Sequence, residues 1–474
     1  MTVRDDQKLQ IQQATDIVRL VGEDLALKPK GREFVCLCPF HDDRRPSMTV
    51  VPAKQIFHCF VCGAGGDAFG WLMKYHKMTF PEALRHLADR AGIKLEQRAG
   101  PRDQGSAQQE QTDRELIKAA NQRALGFFQA MLRHADHGRG AREYLKHRGI
   151  SGEMVEAFQL GYAPDRWDGL VTTIRDKSWN RRSFELAGLI SARPTGQGHY
   201  DKLRHRLIFP ICDSIGRPIA FGGRVLPGGT LEDKNEAKYL NTAETPLFNK
   251  SATLYGLHLA KSAPGGIIGG KTAVIVEGYT DVIAAHQAGA RDVVATLGTA
   301  LTSRHVTELR RYAEKVVLVF DADEAGQKAA DRAVEVFLAG ALDVAIAVLP
   351  DGRDPAELLA TENGRQRWQD VIDIAADALT YQFERVRRQM EAATTVTGRQ
   401  RLVEEYLRKL AGLGLARMGI IRRSLVIQRL AELLHLPEAN LVGLLKRLAP
   451  AAGRTPPGGP APSSAEPPPQ GADN

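Results

Sequence analysis

The sequence predicts a multidomain α/β protein that ends in a helical part, and three observations lead there. Between Thr272 and Asp354, short β-branched runs alternate with segments of helical spacing. Near the N-terminus, two pairs of metal-ligand-type residues flank a β-rich stretch. Beyond Asp354, apolar residues recur at helical spacing over most of the remaining chain. A chain of 474 residues is too long for a single core, so several domains and linkers are expected.

From the N-terminus, Ile11 to Val21 has the spacing of a short amphipathic helix. Then come Cys38-Pro39-Phe40-His41 and Cys59-Phe60-Val61-Cys62. Each pair, with two residues between its ligands, can grip one ion from a tight turn. The strand-like stretches Ser47 to Val51 and Lys54 to His58 form a ribbon that brings the turns together. We read Cys38, His41, Cys59 and Cys62 as the four ligands of one structural Zn²⁺ in a zinc ribbon. Cys36 and His58 are competitors; Cys38 is preferred because it opens the tight Cys-x-x-His turn, which leaves Cys36 as a small residue on the incoming strand. Arg44, Arg45 and Lys54 beside Phe57 and Phe60 suit single-stranded nucleic acid, although the two aromatics serve equally well as a small core. Thr79-Phe80-Pro81-Glu82 is a capping box opening a helix that Gly92 closes. Residues 99–113, rich in Gly, Gln, Ser and Arg, read as a flexible linker that lets the zinc module move.

Leu116 to Leu132 is again helical, and Arg142 to Phe158 reads as two short helices turning near Gly149. The most basic part follows, with Lys202, Arg204, Arg206, Arg217, Arg224, Lys234, Lys238 and Lys250 among the strand-like runs Leu207 to Ile211 and Pro218 to Phe221. Arg binds phosphate bidentately and Lys acts as a point charge, so this face is a candidate phosphate track. Any one of these cations, taken alone, would more often belong to a solvated face. Gly222-Gly223 ahead of Arg224 would let the backbone approach a phosphate, and Cys212 within an apolar run reads as core.

The strand runs Ala273 to Val276, Val293 to Thr296, Val316 to Phe320 and Val344 to Val348 alternate with helical segments from Val282 to His286, Val306 to Tyr312 and Ala329 to Phe337. That alternation predicts a parallel sheet covered on both faces, with ligands beyond the carboxyl ends of its strands. Glu277 and Asp281 follow the first strand, Asp321 and Asp323 the third, and Asp354 the fourth. Any one of these acids would more often be a helix cap. Five at the ends of three strands would repel one another, and a hard divalent cation, Mg²⁺ or Mn²⁺, offsets that repulsion in a site for phosphoryl chemistry. After Asp354, helices are expected from Trp368 to Met390, Gly398 to Ala411, Met418 to Leu434 and Glu438 to Leu448. The Pro- and Gly-rich tail from Pro450 is expected to be disordered.

The formal net charge is +8 and the pI about 9.2, which suits a polyanionic partner. No apolar run approaches the length that spans a membrane, and the N-terminus is charged rather than signal-like. Five cysteines, four of them clustered, argue for a metal site in a reducing compartment rather than a secreted disulfide framework. A cytoplasmic protein is expected.

In order, these motifs resemble those of bacterial DnaG-type DNA primases over roughly residues 10 to 450. The resemblance is carried by Cys38-Pro39-Phe40-His41, Arg45-Pro46-Ser47, His58-Cys59-Phe60-Val61-Cys62-Gly63-Ala64-Gly65-Gly66-Asp67, Phe209-Pro210-Ile211, Phe221-Gly222-Gly223-Arg224, Lys238-Tyr239-Leu240-Asn241, Leu254-Tyr255-Gly256-Leu257, Val276-Glu277-Gly278-Tyr279-Thr280-Asp281-Val282 and Asp321-Ala322-Asp323-Glu324-Ala325-Gly326. It implies a zinc-ribbon DNA-binding domain (1–98), the linker (99–113), a basic N-terminal subdomain of an RNA polymerase core (114–265), a Toprim catalytic subdomain (266–362), a helical bundle (363–449) and the tail (450–474). It implies RNA primer synthesis on single-stranded DNA from ribonucleoside triphosphates. Glu277, Asp321 and Asp323 would be catalytic, and Asp281 and Asp354 would join them in holding two divalent cations. Arg204, Arg206, Arg224, Lys238, Tyr239, Asn241 and Lys250 would contact template or nucleotide.

Two departures from the family pattern stand out. The chain has Asp354-Pro355-Ala356 where the family often has Asp-Pro-Asp, with Glu357 next as a possible substitute ligand. The resemblance implies the replicative helicase as a partner, reached through a C-terminal domain into which relatives usually continue; here the sequence stops after the bundle in a Pro-rich tail, as a short natural form or an incomplete sequence would. A monomer is expected. The rival readings are a Toprim nuclease, a topoisomerase, for which no DNA-attacking tyrosine stands out, and a non-catalytic zinc-ribbon DNA-binding protein.

Overall fold

A computed structural model describes residues 5–93, 104–194, 196–229, 237–320, 333–337, 342–413, 415 and 418–448. Asp321, Asp323, the residues expected to open the third sheet helix, and the tail from Pro450 lie outside the described residues. Contacts divide the described residues into two compact units. The first takes those up to residue 320 and those from Leu342 to Ala376; the second takes residues 333–337 and those from Asp377 onward. Among the described residues, no helix is long and apolar enough to cross a membrane.

The first unit begins with two helices, Asp5–Gln13 and Ile17–Gly22, where the apolar spacing predicts one. The break falls at Asp16, whose carboxylate accepts the N–H groups of Val18 (2.8 Å) and Arg19 (3.4 Å) and so caps the second helix. An antiparallel sheet follows in the order β1 (Lys28–Lys30), β2 (Glu33–Cys36), β3 (Met48–Val51), β4 (Ile56–Cys59) and β5 (Gly65–Gly66). Its small core is aromatic: Phe57 lies edge-on to Trp71 at 5.1 Å, and Trp71 stacks on Tyr75 at 4.7 Å. Trp71 and Phe57 are almost fully buried, each contributing on the order of 2–3 kcal/mol by area. The capping box at Thr79 forms as expected, with Glu82 accepting the Thr79 N–H at 2.7 Å, and Gly92 ends the helix Phe80–Ala91 at φ +68°.

The linker reading is corrected. Residues 104–113 form the first turns of a 30-residue helix, Gln104–Arg133. Gln, Arg and Glu are good helix formers, and pairs four residues apart, such as Glu110 with Arg114 at 3.2 Å, support this stretch. The zinc module also makes specific contacts with the rest of the first unit. Arg311 donates through Nε to the Lys77 carbonyl at 3.1 Å and through Nη2 to Glu82 at 2.6 Å, while Glu308 holds it from behind at 3.0 Å. Arg217 reaches Asp89 at 3.1 Å, and Ile215 packs on the module's core. Lys261, only 2 % exposed, donates to the His76 carbonyl at 3.4 Å. Burial pushes its ammonium down to about 8. The folded value lies below the unfolded one, so charging Lys261 costs stability below pH 8, and that cost fades as pH rises from 8 toward about 10.4.

The basic subdomain is an antiparallel sheet in the order β11 (Tyr239–Asn241), β10 (Pro218–Val225), β9 (Arg206–Cys212) and β6 (Gly161–Ala163), packed on the long helix; a two-stranded ribbon of β7 (Ile190–Ala192) and β8 (His199–Asp201) adjoins it. A further sheet holds parallel strands in the order β13 (Val293–Ala295), β12 (Thr272–Val276), β14 (Lys315–Phe320) and β15 (Asp343–Val348). Consecutive residues Val274 to Val276 and Val293 to Ala295 are all buried, so both faces are covered as expected. The helix Gly364–Asp373, expected in the C-terminal bundle, belongs to this unit because Trp368, 1 % exposed, is part of its core with Val317 and Ala345.

The segment expected as one helix from Trp368 to Met390 is thus two. Asp377 starts the second, Ala378–Ala392, by accepting the Thr380 N–H at 3.0 Å. That helix opens the second unit, with Val396–Gly412, Ile420–Leu434 and Glu438–Leu448 around buried Leu379, Phe383, Leu407, Leu410, Leu430 and Leu441.

Replacing Arg311 by Ala is expected to release the zinc module while leaving its zinc content unchanged. The check is energy transfer between one dye on the module and one on the core. Unchanged transfer in Arg311→Ala would show that docking rests elsewhere.

Candidate functional site

The four expected zinc ligands converge. Their donor atoms all lie within 4.8 Å of one another. Cys38 Sγ is 3.7 Å from Cys62 Sγ, and Cys59 Sγ is 3.9 Å from His41 Nδ1. A tetrahedron with bonds of about 2.3 Å has edges of about 3.8 Å, which the two shorter pairs match, so the set fits Zn²⁺ with small side-chain adjustments. The turns are built to hold it. Asp43 accepts the Ser47 hydroxyl (2.6 Å) and the N–H groups of Cys38 (2.8 Å), Arg45 and Ser47 (each 3.2 Å). The Ser47 hydroxyl and these N–H groups bring the Asp43 carboxyl down to about 2. Cys59 Sγ receives the N–H groups of Val61 (3.4 Å) and Cys62 (3.5 Å), which favour its thiolate. Neither competitor joins the set. Cys36 is buried on β2 facing the Met48 carbonyl, and His58 packs edge-on to Phe60. The two aromatics divide the roles left open for them: Phe57 is core at 1 % exposure, whereas Phe60 is 77 % exposed with Arg44, Arg45 and Lys54 also at the surface.

The second site is a cleft of about 570 Å³ between the basic sheet and the carboxyl edge of the parallel sheet. Glu277 leaves β12, Asp281 stands in the first turn of the helix Tyr279–Gln287, and Asp354 follows β15 after one short turn. All three line the cleft, facing Arg224, Lys238, Tyr239, Asn241 and Lys250. Asp354 is also a helix cap, accepting the Glu357 N–H at 2.7 Å, and Glu357 returns to the Asp354 N–H at 3.4 Å. Glu357, a possible substitute ligand by sequence, is thus engaged in a capping box. Asp321 and Asp323 follow β14, the strand beside β12, outside the described residues. Hard oxygen donors on one wall and cations on the other suit a divalent cation with phosphates.

Arg204 and Arg206 do not line the cleft. Arg204 lies over Trp167, its guanidinium carbon 4.2 Å from the ring centre, with Tyr200 at 5.7 Å; Trp167 is 52 % exposed. Arg206 is 1 % exposed and donates to the carbonyls of Gly223 and Ala237, each at 3.1 Å. It holds β10 against the segment leading into β11 and offers no surface to a ligand, contrary to the contact role expected for it. The expectation for Gly222-Gly223 is corrected too. A Cβ on Gly222 would meet the Tyr279 hydroxyl at 2.5 Å, and one on Gly223 would meet Arg206 Cδ at 3.0 Å. The glycines make room for two of the protein's own side chains.

Sequence reasoning missed Tyr279, Thr296, Leu297 and Gly298 in the cleft wall. It also missed Tyr144, over which both Arg148 and Arg224 lie at 5.5 Å. The four-residue spacing of Tyr144 and Arg148 on one helix was the available signal.

Three family models match the chain: the CHC2 zinc finger over residues 4–103, the N-terminal domain of the DNA primase catalytic core over 127–261, and a Toprim-like domain over 274–359. A DNA primase of Halalkalibacterium halodurans is 36% identical over 424 residues, covering 89% of this chain and 67% of the relative. A DNA primase of Pseudomonas aeruginosa is 38% identical, covering 90% of this chain and 62% of the relative. The chain therefore spans about two thirds of the length of these curated relatives. Among solved structures, the zinc-binding and RNA polymerase domains of the Aquifex aeolicus primase align at a TM-score of 0.59 and 29% identity, covering 94% of this chain and 100% of that one. A DnaG primase catalytic domain bound to single-stranded DNA aligns at 0.59 and 30% identity, covering 69% and 99%.

Two outcomes are expected. Cys38→Ser loses the bound zinc while Cys36→Ser keeps one per chain, read by metal analysis; zinc loss in Cys36→Ser would reverse the ligand assignment. Arg204→Ala weakens single-stranded DNA binding and flattens its salt dependence by about 0.7 in log–log slope. Arg206→Met leaves that slope unchanged and instead lowers unfolding stability by about 2–4 kcal/mol, because buried carbonyls lose their donor.

Proposed function

Because the chain belongs to the DnaG-type DNA primase family, we propose that it is a DNA-directed RNA polymerase that makes short RNA primers on single-stranded DNA. The observation that carries this reading is the two-sided cleft, with Glu277, Asp281 and Asp354 on one wall and Arg224, Lys238 and Lys250 on the other. A triphosphate carries several negative charges, and the basic wall offsets them by charge-assisted hydrogen bonds. Glu277, Asp281 and Asp354, together with Asp321 and Asp323 on this reading, would hold Mg²⁺ or Mn²⁺, which when bound supplies charge neutralisation at the reacting phosphate and the departing pyrophosphate. Their positions support these roles: Glu277 directly follows β12, Asp281 lies in the first turn of the next helix, and Asp354 follows β15 after a short turn.

Arg224 is held for this work from two sides. Its Nη1 donates to the Tyr239 hydroxyl at 2.6 Å, and its guanidinium lies over the Tyr144 ring. A fixed guanidinium recognises phosphate with little ordering cost. The template would run over surfaces that favour stacking, namely Trp167 and Tyr200 beside Arg204, and Phe60 on the zinc knuckle beside Arg44 and Arg45. One structural relative is bound to single-stranded DNA, which supports this partner. A nuclease would use the same acids with water as nucleophile, and it gives no account of the zinc ribbon or the basic wall. Incorporation of labelled ribonucleotides separates the two.

Glu277→Gln keeps the size of the side chain and removes its charge. It is expected to lower primer synthesis by at least about 100-fold while single-stranded DNA affinity stays within about twofold. Synthesis at the wild-type rate in this variant would refute the role given to Glu277.

A further inference from the structure

Tyr279 sits behind the cleft wall at 7 % exposure, stacked on Phe209 at 4.9 Å and edge-on to Tyr255 at 4.7 Å. This packing fixes its ring. Gly222, with no Cβ, leaves the hydroxyl room beside β10. From there the hydroxyl donates to Asn241 Oδ1 at 2.7 Å. Burial pushes the phenol well above its usual range, so it stays protonated and remains a donor.

Asn241 has two polar ends, and the structure distinguishes them. Nδ2 donates to the Leu297 carbonyl at 3.3 Å, a bond the amide oxygen could not make, since carbonyls only accept. The oxygen must therefore face Tyr279. An Asn amide carries two N–H groups. One goes to Leu297, and the other has no acceptor among the described residues. Asn241 lines the same cleft as Lys238 and Glu277, where phosphate and sugar oxygens would lie.

We infer that Tyr279 is a positioning residue for the incoming nucleotide, holding Asn241 in the orientation that offers the cleft an N–H donor. This deepens the polymerase reading and rests on it. Without the hydroxyl, only the longer 3.3 Å bond to the Leu297 carbonyl sets the amide's orientation, so its second N–H is held less firmly toward the nucleotide's acceptor oxygens. The shared chemistry is an acceptor oxygen on the nucleotide, either phosphate or ribose.

The test is the dissociation constant of a fluorescent ATP analogue with Mg²⁺, alongside steady-state primer synthesis, for wild type, Tyr279→Phe, Asn241→Ala and the double variant. Tyr279→Phe is expected to weaken binding and raise KM about five- to tenfold, the weight of one hydrogen bond, with kcat within about twofold of wild type. The double variant should be no weaker than Asn241→Ala alone. If the acceptor is the ribose 2′-oxygen, the loss is confined to ribonucleotides; if it is a phosphate, a deoxynucleotide analogue loses as much. Unchanged binding in Tyr279→Phe, a fall in kcat alone, or additive losses in the double variant would overturn the inference. Should Tyr279→Phe melt early, Asn241→Ala, which leaves the ring stack intact, still decides: wild-type affinity in that variant overturns it. Wild-type chain that binds nucleotide yet makes no RNA refutes the polymerase reading, whereas wild-type synthesis with unchanged variants refutes only the role of Tyr279.

Discussion

Like charges gathered at one edge of a sheet repel, and much of the first unit answers that constraint. β12 and β15 deliver Glu277 and Asp354 to one cleft, and the helix after β12 adds Asp281 in its first turn. A helix N-terminus favours anions, which eases the placement of Asp281 and of Asp354, itself a cap. Facing them, β10, β11 and the segment after β11 bring Arg224, Lys238 and Lys250. The two walls come from different sheets, one parallel and one antiparallel, so the cleft depends on how those sheets are joined. Tyr279 and Asn241 make that joint directly, linking the helix after β12 to β11 at 2.7 Å.

The pair Gly222-Gly223 shows how tight the joint is. β10 is flanked by Tyr279, from the helix after β12, at one glycine and by an arginine from β9 at the next. Alternate residues of a strand point to opposite faces, so one glycine serves each face. Arg206 spans Gly223 to reach the carbonyl of Ala237, which precedes Lys238 and Tyr239 in the basic wall. A buried arginine is costly unless its donors are used. Here they satisfy backbone carbonyls that would otherwise lose their partners. The charge is spent on shape, whereas the neighbouring Arg204 stacks on an exposed tryptophan and donates to the Asp201 carbonyl.

What could be read from the sequence depended on how local the signal was. The zinc set was legible because each ligand pair sits in its own turn with fixed spacing, and the structure leaves Cys36 and His58 out of it. The parallel strands were legible because continuous β-branched runs mean burial on both faces. Arg206 was misread because sequence shows a cation's type but not its burial, and an arginine on a strand looks the same whether it faces solvent or a carbonyl. The cis contacts of the zinc module were invisible for a related reason. Arg311 and Glu82 are separated by more than two hundred residues, and no pattern in either segment refers to the other. The stretch from Gln104 carried helix-forming residues beneath a composition that resembles a linker; composition was given more weight than propensity.

The docked module bears on how the two candidate DNA-contacting surfaces divide their work. Its zinc turns hold Phe60 and Val61 outward, at 77 % and 69 % exposure, because Cys59 and Cys62 on either side are tied to one metal position and Phe57 takes the core. A side chain pinned outward this way costs little further ordering when a base stacks on it. The Arg204 platform is built on a different principle, a cation over an aromatic face, which favours the phosphate backbone as much as the base. On the polymerase reading proposed above, recognition of the incoming nucleotide would fall to the cleft, where Asn241 is the neutral amide and is held by two hydrogen bonds. A neutral donor adds little to the attraction between the basic wall and a triphosphate. What it adds is direction, and direction is lost when the group that orients it is removed.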